Sequence, residues 1–201
     1  MPFEPGNIPP VRPMPSKSWF VAIAFSLPVL AGTVVAILNG AAGWRKMPVD
    51  LALLFCFLSI VGVAVLSVGF YRQFKPGTRE AVDGRAALVI LVAGFVAFAS
   101  VEFPWHPDRE AALVPWRCLR LGTLVALGAS VLLLLWARKG YAVNPVSASF
   151  WTGTLASMAG LIGLGLHCPR FELSHQLAGH APMIVFSCYG VAWLARRFGL
   201  K

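Results

Sequence analysis

Six runs without a single acid, lysine or arginine decide what this chain can fold into. They are Trp19–Trp44, Leu51–Tyr71, Ala86–Val101, Leu121–Ala137, Tyr141–Cys168 and Ala181–Ala195. A bilayer core of about 30 Å takes about 20 apolar residues as one helix. Helices are therefore expected near 19–39, 49–71, 86–103, 117–137, 147–167 and 179–195. The expected fold is an all-α integral membrane protein, with six transmembrane helices in one bundle spanning residues 19–201. Composition agrees: 58% of residues are hydrophobic and 12% charged, against roughly 25% charged in soluble domains. The first run has an apolar core of about 20 residues, longer than the 7–15 of a signal peptide, and reads as an uncleaved span.

Residues 1–18 contain six prolines: Pro2, Pro5, Pro9, Pro10, Pro13 and Pro15. Proline breaks a helix interior. This segment reads as an extended tail, a linker or a docking peptide.

The net charge is +9, but the basic residues lie scattered between apolar runs and carry topology rather than nucleic-acid binding. Six spans put both termini on one side. That side would hold Arg12, Lys17, Arg72, Lys75, Arg79, Arg85, Arg138, Lys139, Arg196, Arg197 and Lys201. The other would hold Arg45, Lys46, Arg109, Arg117, Arg120 and Arg170. Cytoplasmic loops carry the excess of Lys and Arg, so both termini are expected in the cytoplasm. The tryptophans fall near the two interfaces, as an aromatic belt would.

The polar chemistry then collects on the outer side. All four histidines (His106, His167, His175 and His180) belong there, with Asp50, Glu102, Asp108, Glu110 and Glu172. Imidazole, carboxylate and thiol together can bind metal or protons. Polar outer loops are the plain alternative. Cys118 opens the fourth span between Arg117 and Arg120, where a helix N-terminus and a cation favour thiolate. Cys168 closes the fifth span, between His167 and Pro169. The two cysteines are equally far in sequence from Val143, the centre of the connecting loop. An antiparallel hairpin of two helices rising 1.5 Å per residue brings them to one depth. If they face each other, a disulfide or a shared soft-metal site is sterically open. Otherwise they are two small residues that happen to be level. Cys56 and Cys188 lie inside spans and read as core packing. His175 and His180 are five apart, about 140° around one α-helix. A joint metal site would need a loop between them or ligands from another span.

Small residues recur every fourth position in the fifth span: Ser149, Gly153 and Ser157, and Thr152, Ala156 and Gly160. Such spacing lets membrane helices pack closely. HExxH, CxxC and GxSxG are all missing from the sequence, and no acid lies deep in a span. No catalytic residue is expected, and an enzyme is the least favoured class.

The order of residues has a family likeness. Val11-Arg12-Pro13-Met14-Pro15 precedes the first span, and Trp116-Arg117-Cys118-Leu119 opens the fourth. His167-Cys168-Pro169 closes the fifth, followed by His175, Gly179-His180 and Pro182. With six spans and about 200 residues, the chain resembles the NrsF family, negative regulators of extracytoplasmic-function sigma factors. The resemblance implies a multi-pass anti-sigma factor of the bacterial inner membrane. It would hold the sigma factor at the cytoplasmic face and release it on an envelope, redox or heavy-metal signal. Cys118 and Cys168 match the family's sensing thiols, with no resident cofactor implied and heavy metal bound at most transiently. Ten residues precede the Val-Arg-Pro element, where family members often have more. Sigma capture is therefore expected to involve the inner loops as well, with Arg12, Arg72, Arg79 and Arg138 as contacts. The partners implied are a sigma factor and the lipid bilayer, with no direct nucleic-acid contact. The competing expectation is a small transporter or membrane subunit using the outer His and Cys groups for metal or protons.

Overall fold

A computed structural model of the chain describes residues 15–75, 82–105, 114–137, 142 and 144–197. The described elements are helical: α1 (Lys17–Leu38), α2 (Ala42–Lys46), α3 (Val49–Phe74), α4 (Gly84–Glu102), α5 (Val114–Ala137), α6 (Pro145–His167), α7 (Leu173–His175), a π-helical segment (Gln176–His180) and α8 (Ala181–Arg197). Six helices are long and apolar enough to cross a membrane, the last running from Leu173 to Arg197. The first five expected spans match within a few residues. The sixth starts about six residues earlier than 179, because α7 and the π segment continue into α8 without a break. The short α2 had no counterpart in the sequence reading.

Large apolar side chains stand exposed on the outside of the bundle, among them Leu53, Phe57, Val61, Val89, Ile90 and Val101. Exposed apolar surface on this scale needs lipid around it. The least apolar of the six spanning helices, α6, lies at the centre. It is buried almost continuously from Ser147 to Leu164, and it packs against α1, α3, α4, α5 and α8. This inversion follows from the solvent. Lipid tails are as apolar as leucine, so helices associate through close packing of small residues rather than through hydrophobicity. Four α6 hydroxyls donate to carbonyls of their own helix. Ser149 and Ser157 donate to carbonyls three residues back. Thr152 and Thr154 donate four residues back, at 2.7 and 2.8 Å.

The neighbours present matching stripes. The buried residues of α1 recur every fourth position: Phe20, Ala24, Pro28, Gly32 and Ala36. A Cβ on Gly32 would lie 2.6 Å from the Ala159 carbonyl oxygen of α6. On α5 the buried face runs through Cys118, Gly122, Ala126, Ala129, Leu133 and Ala137. A Cβ on Gly160 would lie 2.7 Å from the Gly122 carbonyl oxygen. These are backbone contacts, closer than any side chain permits.

Both ends of the bundle are tied. At one end Asp83 caps α4 by accepting from the Arg85 N–H, and the Gly84 N–H donates to Ser147 Oγ at 3.0 Å. Phe20 is fully buried there among Phe70, Tyr71, Phe74 and Trp136. At the other end α1 stops where Gly40 takes φ +96°, a conformation glycine reaches without Cβ strain. The chain turns into α2, whose Gly43 sits against Cys168. A Cβ on Gly43 would lie 2.6 Å from the Cys168 carbonyl oxygen.

Candidate functional site

The second end carries the chemistry. Cys118, on the first turns of α5, lies on the α6-facing stripe. Cys168 follows the last residue of α6 and caps it, its N–H donating to the Leu164 carbonyl at 2.7 Å. The two sulfurs are 3.7 Å apart, with the Cys118 S–H donating towards Cys168. Both are free thiols. His175 Nε2 lies 3.2 Å from the Cys168 sulfur, and His180 lies close to the same sulfur. One ligand atom from each of Cys118, Cys168, His175 and His180 falls within 4.8 Å of the others, and all four residues are buried.

The π-helical segment makes this possible. An α-helix would turn His175 and His180 apart. Here the Ala181 N–H bonds back to the Gln176 carbonyl, five residues earlier. An i→i+5 register stacks residues five apart on nearly one face. The two imidazoles end with ring centroids 5.5 Å apart and planes at 75°. The π-helical register brings the two imidazoles together, and the other two groups come from α5 and the end of α6, so the expected need for ligands from another span is met. The segment is pinned on several sides. Gly179 packs on the first turn of α5, where a Cβ would lie 3.1 Å from the Pro115 carbonyl oxygen. Gln176 Nε2 donates to the Arg170 carbonyl at 2.9 Å. The Leu173 N–H donates to the Pro104 carbonyl at 3.0 Å, beyond the end of α4. Arg170 and Glu172 form an ion pair at 4.0 Å.

The electrostatics follow from the same contacts. The Cys118 S–H, donating to Cys168, holds the Cys168 thiol well below the ordinary thiol range. Burial opposes this, and hydrogen bonds from His175 and His180 reinforce it. Favouring thiolate is what makes a cysteine a nucleophile or a metal ligand. His175 Nδ1 and His180 Nε2 are buried without a hydrogen-bond partner. His175 thus turns Nε2 to the Cys168 sulfur and leaves Nδ1 unpaired.

A groove of about 480 Å³ leads to the site from the side. Its walls are α3 and α4 and its floor is α6. Cys168, Gln176 and His180 line its polar end. Phe95 of α4 covers the His180 ring, with centroids 6.4 Å apart. No sequence signal singles out Phe95, since one aromatic among many carries no spacing.

Of the sequence-expected site residues, the structure unites Cys118, Cys168, His175 and His180. His167 ends α6 beside Cys168, with its Nδ1 unpartnered, but it is not one of the four that converge. Arg72 lies exposed in the last turn of α3, at the opposite end of the bundle. His106, Arg12, Arg79 and Arg138 lie outside the described residues.

Comparison with protein-family models, with curated proteins and with solved structures finds no match. The fold and the site therefore set the class, a multi-pass helical membrane protein with a buried Cys/His cluster at one end.

The sulfur separation makes a direct prediction. Purified protein stripped of metal and treated with a mild thiol oxidant is expected to join Cys118 to Cys168, losing two of its four thiols. Maleimide gel shifts after denaturation count the thiols. Cys118→Ser is expected to keep Cys168 free under the same treatment. A wild-type protein that keeps all four thiols would contradict the facing geometry.

Proposed function

We propose that the protein is a membrane sensor of the anti-sigma type, resident in a bacterial inner membrane with both termini in the cytoplasm. In this reading the Cys118–Cys168–His175–His180 cluster lies on the outer side and receives a redox or heavy-metal signal. An extracytoplasmic-function sigma factor is held at the opposite end, where Arg72 lies, and the protein acts by binding rather than by catalysis. The resemblance to the NrsF family suggests the partner. The observation that carries the reading is the cluster itself. It joins three chain segments, the start of α5, the end of α6 and the α7–π segment that runs into α8, so a bond formed or a metal gained there acts on three helices at once. Since α6 contacts every other spanning helix, a shift at its end reaches the whole bundle. A two-state bundle needs only a few kcal/mol of differential binding to change its population.

The excess of Lys and Arg assigned to the cytoplasmic side supports the orientation. The transporter alternative uses the same cluster and differs in its partner. Pull-down of tagged protein in mild detergent, with mass spectrometry of the eluate, separates the two. A sigma factor in the eluate is expected. Intact, abundant protein eluting without one would overturn the anti-sigma reading and leave metal uptake to be measured.

A further inference from the structure

We infer that Cys118, Cys168, His175 and His180 form a four-ligand site for one resident divalent ion of the zinc class. The inference concerns the cluster on which the proposed function rests, but it stands on ligand chemistry alone and needs no sigma factor.

Three observations carry it. The first is the ligand set. Two thiolates and two imidazoles are a donor set that zinc takes in tetrahedral structural sites. Hard cations such as calcium or magnesium require oxygen ligands, and none of the four converging residues offers a side-chain oxygen. The second is spacing. Zinc–sulfur bonds of about 2.3 Å and zinc–nitrogen bonds of about 2.0–2.1 Å give a tetrahedron with edges of about 3.4–3.8 Å. The sulfurs here are 3.7 Å apart and the His175 Nε2 to Cys168 edge is 3.2 Å. The widest spacing, within 4.8 Å, closes by about 1 Å through side-chain rotation.

The third is charge. The site is buried, and an uncompensated buried charge is costly. Two thiolates, two neutral imidazoles and one divalent ion sum to zero. A monovalent copper ion in the same set would leave one negative charge. Neutrality and donor softness together select a borderline divalent ion over both hard cations and monovalent copper. The π-helical turn has its purpose here, since it brings the second imidazole to the cluster. Filling the site displaces protons from thiols, forms two metal–sulfur bonds and involves no change of oxidation state.

The test uses full-length protein in mild detergent, stripped of metal and kept reduced. Titration with cobalt(II) is expected to saturate at one ion per chain. A sulfur-to-cobalt charge-transfer band should appear with visible bands of four-coordinate intensity, and zinc should abolish both. His175→Ala and His180→Ala should each weaken binding at least ~100-fold, above the 10–100-fold typical of outer-shell changes. Cys118→Ser and Cys168→Ser should each weaken the charge-transfer band, and Cys188→Ser should leave titration and spectrum unchanged. The wild type also provides a test that needs no folded variant: reloaded with zinc, it should release one zinc per chain to an organomercurial. Folded wild type that shows no charge-transfer band, or holds no zinc after reloading, would overturn the site. A cobalt spectrum unchanged in either histidine variant would overturn the four-ligand assignment. A filled site with no sigma factor in the pull-down would leave this inference standing and remove the functional reading.

Discussion

Cells carrying Cys118→Ser or Cys168→Ser are expected to lose the whole signal-dependent rise in sigma-dependent transcription. Cys56→Ser and Cys188→Ser are expected to keep it. A reporter under the sigma factor's own promoter, challenged with cadmium or dichromate, reads the difference. The physical reason is that each sulfur in the cluster has a partner sulfur at 3.7 Å. Serine there can form neither a disulfide nor a soft-metal bond. Moving a two-state protein from 1:99 to 99:1 takes about 5.5 kcal/mol of differential interaction. A hydroxyl in a metal site cannot supply that from a soft ion. Cys188 is just as buried, but its sulfur contacts Thr154 Oγ1 at 3.5 Å and lies outside the four-residue cluster. It should behave as a small core residue. A full response in either cluster variant would remove the thiols from the signalling path.

The second large effect is on folding. Gly160→Val and Gly32→Val are each expected to destabilise the bundle by about 3 kcal/mol, the upper end of overpacking costs. The obstructing atoms are carbonyl oxygens of Gly122 and Ala159. Backbone cannot rotate away, so the helices themselves must separate. Gly160→Val would part α5 from α6, and with them Cys118 from Cys168. It should therefore lower oxidative cross-linking as well as thermal stability. Gly94→Val and Gly128→Val face open space and should be nearly neutral. Thermal unfolding in detergent, followed by size-exclusion fluorescence, compares the four. Equal midpoints for all four would contradict the close approach of the helices.

Much of this architecture is legible in the sequence. The charge-free runs place the spans, because an ion in hydrocarbon is too costly to be scattered at random. Which helix lies in the middle is less obvious, since hydropathy ranks α6 as the weakest span. The serines, threonines and glycines that lower its hydropathy are what allow five neighbours to touch it. The facing of Cys118 towards Cys168 is also present in the pattern. Cys118 starts a buried stripe with Gly122 and Ala126, but small residues every fourth position read as packing unless the partner stripe is known. The convergence of His175 and His180 is not legible in this way. A π-helical turn shifts the register by one residue, and Gln176–His180 carries no composition that distinguishes it from α-helix. Gly179 is its clearest trace, since it lets the segment close on Pro115.

The most direct test of the whole account is sigma-factor retention on inverted inner-membrane vesicles, before and after the outer side meets cadmium. Wild type, Cys118→Ser and His180→Ala proteins are compared at equal abundance. The account predicts that wild-type vesicles bind the sigma factor and release most of it on exposure, while both variants keep it bound. Vesicles that never bind a sigma factor, or variants that release it as the wild type does, would contradict the claim that this cluster controls the opposite face.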